Sequence, residues 1–594
     1  MTIPLAQAAG RQAEQGAFRG VECSVGGRKW IGLSPSVDRI SRAIAERTDL
    51  PDLVCRVLAR QGAGPDTAEA FLDPKIRNLM PDPSSLKDLD RAVSRFVDAL
   101  GNRQKIAIFA DYDVDGGSSA ALLIDWMRQI GATATLYVPD RIREGFGPNV
   151  PAMRRLAETH SLIICVDCGS SAFDSIEAVH GTDVIVLDHH VSDPELPPAF
   201  AVVNPNRQDE SSELVYLCAA GVVFMFLVAV NRALRPTRED LPDLMQMLDL
   251  VALATVADVS PMLGLNRALV RNGLLVMRKR GRPGLRALAD IAGISSPPNS
   301  RHLGFVFGPR INAGGRIGDS DLGARLLATD DDDDAEVLAR ALDSLNRERR
   351  QMVEFASTQA REQVEQRGLD SPLVWAASEH WHPGIVGIVA SHISELANRP
   401  AIAIGFADGI GKGSARSIPG VDIGSAIVRC RDEGLLARGG GHKMAAGLEV
   451  AEDRLDTAME RIAQLLELQE PALDAPRSVR VDGEIQAEAA TLDLIEALEN
   501  AGPYGAGAPH PRVVLPFQQI AYRRVVGNGH LQLSIQGNSK SRLAAIAFGV
   551  MDGRLGKFLE GCGSRPVHVL GRLEADDYRG RVTPKLQVED AAPA

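Results

Sequence analysis

The chain has 594 residues, 45% of them hydrophobic and 24% charged, with a formal net charge of −12. That length exceeds one core and points to several domains of roughly 100 to 200 residues, and the composition excludes a disordered or fibrous chain. The acidic balance argues against a histone-like nucleic-acid binder, which needs Lys and Arg in excess, although a basic groove beside an acidic site is invisible to a global sum.

Met1–Leu33 has no apolar run behind a basic segment, and no later stretch reaches the ~18 apolar residues that cross a bilayer, so a cytoplasmic location without membrane contact is expected. The seven cysteines are odd in number and irregularly spaced, which fits reduced thiols. Cys165 and Cys168 form a C-x-x-C with no second pair, and they are read as strand-end cysteines rather than a zinc site.

In chain order, residues 1–45 are read as an N-terminal extension, followed by a catalytic α/β domain over 46–330 that opens with a helical segment. Within it, Lys105–Ala110 (KIAIFA), Leu162–Val166 (LIICV) and Val184–Leu187 (VIVL) are short apolar runs of the kind that form buried parallel strands. Each leads into acids: Asp111 onward, Asp167, and Asp188 with two histidines. Helical periodicity follows from Glu213 to about Ala257. A connecting helix is expected over 331–368, where Leu338, Leu342, Leu345, Met352 and Phe355 keep helical spacing. The five aspartates Asp330–Asp334 are read as charge at its N-terminus rather than as a metal cluster. A second α/β lobe is expected over 369–470, and the strand-rich stretch 471–594 has the length of a small barrel such as an OB-fold. The fold class is therefore α/β, two lobes joined by a long helix, with a C-terminal OB-fold-like β-barrel.

Asp111-Tyr-Asp113-Val-Asp115-Gly-Gly places three carboxylates on alternate residues behind a buried strand, so two or three can converge on one cation. An EF-hand reading fails for want of the distal Glu. Each acid alone has a structural reading, a helix-capping Asp or a His bonded to a carbonyl, but acids at three successive strand ends favour a shared metal site. Carboxylates with imidazoles and no thiolate favour Mn²⁺ or Mg²⁺. The number of acids suffices for two divalent cations, the arrangement used in phosphoryl transfer.

The segments DYDVDG (Asp111–Gly116), Asp167, Asp188-His189-His190 and ATVADV (Ala254–Val259) resemble, in order, the four motifs of the DHH phosphoesterase superfamily. PDRIREGFG (Pro139–Gly147), CAAGVVF (Cys218–Phe224) and GPRINAGGRIG (Gly308–Gly318) resemble its RecJ exonuclease branch, as do AFLDP (Ala70–Pro74) and GPYGAGAPHP (Gly502–Pro511). HPGIVGIVAS (His382–Ser391), GSARSIPGVDI (Gly413–Ile423) and GGGHKMAAG (Gly439–Gly447) resemble the associated DHHA1 domain. Phe109 departs from relatives that carry a histidine there.

The resemblance implies a single-stranded-DNA-specific 5′ to 3′ exonuclease of DNA recombination and repair, fed by a helicase and a single-strand-binding protein. It implies metal ligands Asp111, Asp113, Asp115, Asp167, His189 and Asp258, with Asp167 bridging, and His190 as ligand, orienter or phosphate contact. Arg310, Asn312 and Arg316, and in the second lobe Ser414, Arg416, Ser417 and His442 in glycine-bounded loops, are implied phosphate binders. For the barrel, Tyr504, Tyr522, Phe548 and Tyr578 with Arg523, Arg524, Lys540 and Arg542 are candidate strand-binding parts. Two alternatives share the metal motifs: a phosphoesterase of small substrates such as oligonucleotides or cyclic dinucleotides, and an inactive scaffold.

Overall fold

The computed structural model describes residues 16–594 except 142, 470–472, 474–476, 528, 538–540 and 579–580. The chain divides into two compact units: Met80–Ser260 with Leu269–Ala475, and Met1–Leu79 with Pro261–Ala268 and Pro476–Ala594.

The larger unit begins with a parallel sheet of β1 (Ile106–Ala110), β2 (Ala134–Tyr137), β3 (Leu162–Val166), β4 (Asp183–Leu187) and β5 (Ala201–Val203), in the order β2-β1-β3-β4-β5. β1 and β3 are buried at every residue, as strands covered on both faces must be. Helix α1 (Val114–Gln129) leaves β1, and helices α2 (Ala219–Leu234) and α3 (Leu248–Ala257) pack against it. GPRINAGGRIG forms a helix, α4 (Gly308–Ile317). Its glycines serve close packing: a Cβ on Gly315 would lie 2.1 Å from the Tyr112 ring, and one on Gly318 2.6 Å from Leu345.

Helix α5 (Asp332–Arg367) has 36 residues, and the Asp331 carboxylate accepts the Asp334 N–H at its N-terminus, the capping role expected of the aspartate run. It leads to the second lobe, with strands β6 (Val374–Ser378), β7 (Ala401–Ala407), β8 (Ile410–Arg416), β9 (Arg438–His442) and β10 (Ala445–Ala451) in the order β9-β10-β8-β7-β6. Helices α6 (Val386–Ala397) and α7 (Ile423–Asp432) and a third over Leu455–Glu467 pack with it. Ser414, Arg416 and His442, expected in loops, lie on β8 and β9, whose glycines let side chains of neighbouring elements close over the strands. A Cβ on Gly413 would meet Ile404 and Leu448 at 3.0 Å, and one on Gly439 would meet Ile427 at 2.8 Å.

The smaller unit holds a barrel of β12 (Val513–Val526), β13 (His530–Gln536), β14 (Arg542–Ala547), β15 (Val567–Tyr578) and β16 (Arg581–Pro593), preceded by the short β11 (Gly483–Glu484) on β12. The order β12-β13-β14-β16-β15 closes through β15 on β12. The described part of the N-terminal extension expected over 1–45 is built into this unit. Lys29–Ile31 pairs with Ser478–Arg480, Trp30 is fully buried with its indole N–H on Asp590, and Pro35–Ala45 is helical. Helix Asp52–Arg60, expected with the catalytic lobe, supplies Leu53, Val54, Val57 and Leu58 to the barrel core. Among the strand-binding candidates, Tyr504 is core, Arg523 is held by the carbonyls of Leu559 and Gly563, and Tyr522 and Phe548 are exposed. Lys540 and the Tyr578 side chain lie outside the described residues.

All seven cysteines are free, and Cys165 and Cys168 are buried. No helix among the described residues is long and apolar enough to cross a membrane.

Candidate metal centre

The sheet register explains why the acids meet. Ala110 is paired with Val166 and Val166 with Leu187, so β1, β3 and β4 end at one level. The next residues are Asp111, Asp167 and Asp188. They leave the carboxyl edge of a parallel sheet, where ligand sites of such folds lie.

Each carboxylate then finds a distinct role. Asp113 caps α1, accepting the N–H groups of Asp115 at 2.8 Å and Gly116 at 3.1 Å. Asp115 is buried and accepts the N–H groups of Ala219 and Ala220 at 2.7 and 2.8 Å, at the start of α2. A helix N-terminus thus holds this carboxylate in place. Asp167 adopts a left-handed φ of 60°, a strained conformation of the sort that gathers at functional sites. Asp258 ends α3 and accepts the Ser260 hydroxyl at 2.8 Å.

His189 sits among them, with Nε2 3.3 Å from Asp167, 3.6 Å from Asp115 and 3.9 Å from Asp258. Asp188 serves the histidine pair instead. It accepts the backbone N–H groups of Ser170, His189 and His190 and holds the His190 ring through Nδ1 at 2.8 Å. Asn204 and Asn206 secure the histidine pair from behind, donating to the carbonyls of His190 and His189 at 2.8 and 2.6 Å.

Ligand atoms converge within 4.8 Å of one another in three groups: Asp111, Asp113 and Asp167; Asp115, His189 and Asp258; and Asp167, His189 and His190. Oδ1 of Asp111 and of Asp167 are buried with no hydrogen-bond donor. Such atoms call for a cation, and oxygen with imidazole nitrogen is the donor set of Mn²⁺ or Mg²⁺. Burial pushes the Asp111 and Asp115 carboxyls up to about 7, with neighbouring carboxylates adding to the effect. Asp167 is pushed well up for the same reasons. Burial also acts on Asp188, but the His190 hydrogen bond and charge outweigh it and hold that carboxyl below its usual range. The same bond raises His190 to about 9.

The arginines form a second feature. Arg316 donates to the Gly384 carbonyl at 3.1 Å, and Arg416 donates to Ser414 Oγ at 3.0 Å. Burial depresses the pKa of both, and Arg316 and Arg141 depress Arg416 further. Arg349 falls to about 10 through burial and the charges of Arg316 and Arg350. Arg141 lies over the Tyr112 and Phe146 rings at 5.2 and 4.9 Å. Nη1 of Arg141 and Nε of Arg349 are buried without an acceptor. Clustered guanidinium groups with unmet donors suit an anion.

Other expected phosphate binders are placed differently. Arg310 is turned into the fold, ion-paired with Asp343 at 2.9 Å and bonded to the Val306 carbonyl. Asn312 accepts the Val114 N–H at 3.0 Å, capping α1. The Ser417 hydroxyl closes a turn on the Val421 carbonyl. His442 shares a row with Arg416 across β10 and lines an open cavity of about 770 Å³ with Asp422, Lys443 and Met444. Sequence reading passed over Arg141, although its segment was noted, and over Arg349, Asn204 and Asn206, which no local motif marks.

Three families match in succession: the DHH family N-terminal domain over residues 105–255, the DHHA1 domain over 370–468 and the RecJ OB domain over 481–590. The chain is 36% identical to the single-stranded-DNA-specific exonuclease RecJ of Dickeya dadantii, across 94% of this chain and 99% of that one. It belongs to the RecJ family. RecJ of Escherichia coli is 33% identical over 92% of this chain and 96% of its own. Among solved structures, RecJ of Thermus thermophilus in complex with Mn²⁺ superposes with a TM-score of 0.79 at 28% identity, covering 95% of this chain and 79% of that one. A RecJ structure bound to manganese, 32% identical, covers 66% of this chain and 98% of its own with a TM-score of 0.57.

Proposed function

We propose that this chain is a metal-dependent exodeoxyribonuclease that hydrolyses single-stranded DNA from its 5′ end, as its RecJ relatives' name as single-stranded-DNA-specific exonucleases suggests. The observation that carries this is the convergence of three sets of carboxylate or imidazole ligands, linked through Asp167 and His189. In this reading Asp115, His189 and Asp258 would hold one divalent cation and Asp111, Asp113 and Asp167 the other. Mn²⁺ and Mg²⁺ both suit the donor set. When bound, such a pair makes a water nucleophilic and offsets charge on the phosphodiester.

The protein's own groups do the rest. Asp188 fixes His190 through Nδ1, which leaves Nε2 to donate to an oxygen of the scissile phosphate. The helix ends that hold Asp113 and Asp115 keep the carboxylates rigid, so little reorganisation accompanies the reaction. Arg141, Arg316, Arg349 and Arg416, with Ser414, receive a phosphate of the strand. A cluster of donors at one end of the centre gives the reaction its polarity by recognising a terminal phosphate. A helicase and a single-strand-binding protein as suppliers of substrate, and work in the cytoplasm, go with this role.

Digestion of a long single strand labelled at the 5′ end, beside its 3′-labelled twin and a blunt duplex, tests the reading. Early release of short 5′-labelled products in Mn²⁺ or Mg²⁺, none in chelator, a spared duplex and an inert Asp167→Ala are expected. Turnover of dinucleotides with the long strand untouched assigns the centre to small substrates instead.

A further inference from the structure

Four apolar side chains on segments that carry or adjoin the acidic centre stand in solvent: Val191 at 68% exposure, Val215 at 55%, Val259 at 69% and Phe305 at 75%. Val191 follows His190 and Val259 follows Asp258 in the chain. The Val215 carbonyl accepts from Asn206, the side chain that also holds the His189 carbonyl. Val259 has a left-handed φ of 59°, costly for a β-branched residue, yet its side chain gains no burial in return.

Phe305 lies in a π-helical turn, Leu303–Phe307, that runs directly into α4. Such turns are rare and gather at functional sites. This stretch packs on the last turn of α3. A Cβ on Gly304 would stand 3.5 Å from Val256, and one on Gly308 3.4 Å from Ala257. Leu303 and Phe307 are buried, and Phe305 between them is turned outward. It is therefore presented beside the turn of α3 that ends in Asp258, with exposed Arg301 one turn earlier. A metal ion or an isolated phosphate has no use for an apolar rim. A nucleotide does, because sugar and base arrive with the phosphate, and unpaired bases present π-faces that a duplex keeps stacked within itself.

We propose that Phe305 is a stacking platform for an unpaired nucleobase of the strand under attack. It is a positioning residue that favours single strands, and the proposal rests on the nuclease reading above.

The test compares Phe305→Ala and Phe305→Trp with wild type on an oligothymidylate and on the same strand made abasic near its 5′ end, in Mn²⁺. Phe305→Ala is expected to raise KM on the oligothymidylate about ten-fold with kcat little changed, to leave KM on the abasic strand unchanged, and to be rescued by Phe305→Trp. The indole of Phe305→Trp should be quenched by oligothymidylate in chelator and spared by the abasic strand. An unchanged KM, or an equal rise on both strands, overturns the platform while leaving the nuclease reading intact. A wild-type enzyme inert to the oligothymidylate overturns both.

Discussion

Asp115 shows how one side chain joins fold and chemistry. Its carboxylate accepts two N–H groups at the start of α2 and belongs to the group formed with His189 and Asp258. Removing the charge and removing the acceptor are therefore separable. Asp115→Asn keeps an amide oxygen for one of the two N–H groups, whereas Asp115→Ala leaves both unmet, at a further cost of about 1 to 2 kcal/mol. In urea unfolding with chelator, Asn should be the more stable variant by about that amount. It should fall below wild type, because the NH2 replaces an oxygen that accepts one of the two N–H groups. Adding Mn²⁺ should stabilise wild type well above either variant, and both should lose nuclease activity. Equal stability of Asn and Ala would show that the helix end does not depend on this oxygen.

Elements were legible where periodicity and burial agree. The apolar runs before Asp111, Asp167 and Asp188 are strands, and their level ends, which bring the acids together, follow from a parallel register. The glycine-bounded segments of the second lobe read as loops, yet Ser414, Arg416 and His442 lie on strands. Glycine marks close approach as readily as a turn, and in α4 and β8 it makes room for neighbours. Arg310 and Asn312 consequently serve Asp343 and Val114, which no local pattern reveals because the partners lie 33 and 198 residues away. Gly315→Ala tests the packing role. A methyl there would meet the Tyr112 ring at 2.1 Å, and Tyr112 stands between Asp111 and Asp113. The variant should lose about 1 to 3 kcal/mol of stability and bind Mn²⁺ more weakly by calorimetry. Wild-type affinity would mean that the ring moves without its neighbours.

At the scale of the molecule, the smaller unit is assembled from three stretches of chain, Met1–Leu79, Pro261–Ala268 and Pro476–Ala594. Sequence order hides such an arrangement, since periodicity locates elements without saying which distant segments complete a core. Leu53, Val54, Val57 and Leu58 from the N-terminal stretch share a core with Val513, Leu515, Leu533 and Val569 of the barrel. Trp30 packs with Val479, Val514 and Leu570 while its N–H meets the buried carboxylate of Asp590. Arg60 adds an ion pair of 2.6 Å to buried Asp482. A barrel cut out at 477–594 would therefore expose apolar surface and leave two buried acids short of partners. Expressed alone, it should give poor chemical-shift dispersion and no cooperative thermal transition, and adding a peptide of residues 16–79 should restore both. In the full chain, Trp30→Ala should destabilise this unit by about 3 to 5 kcal/mol, visible as earlier proteolysis of the C-terminal region while Mn²⁺ binding to the other unit is kept. A well-dispersed spectrum from 477–594 by itself would mean that the N-terminal segments decorate the barrel without completing it.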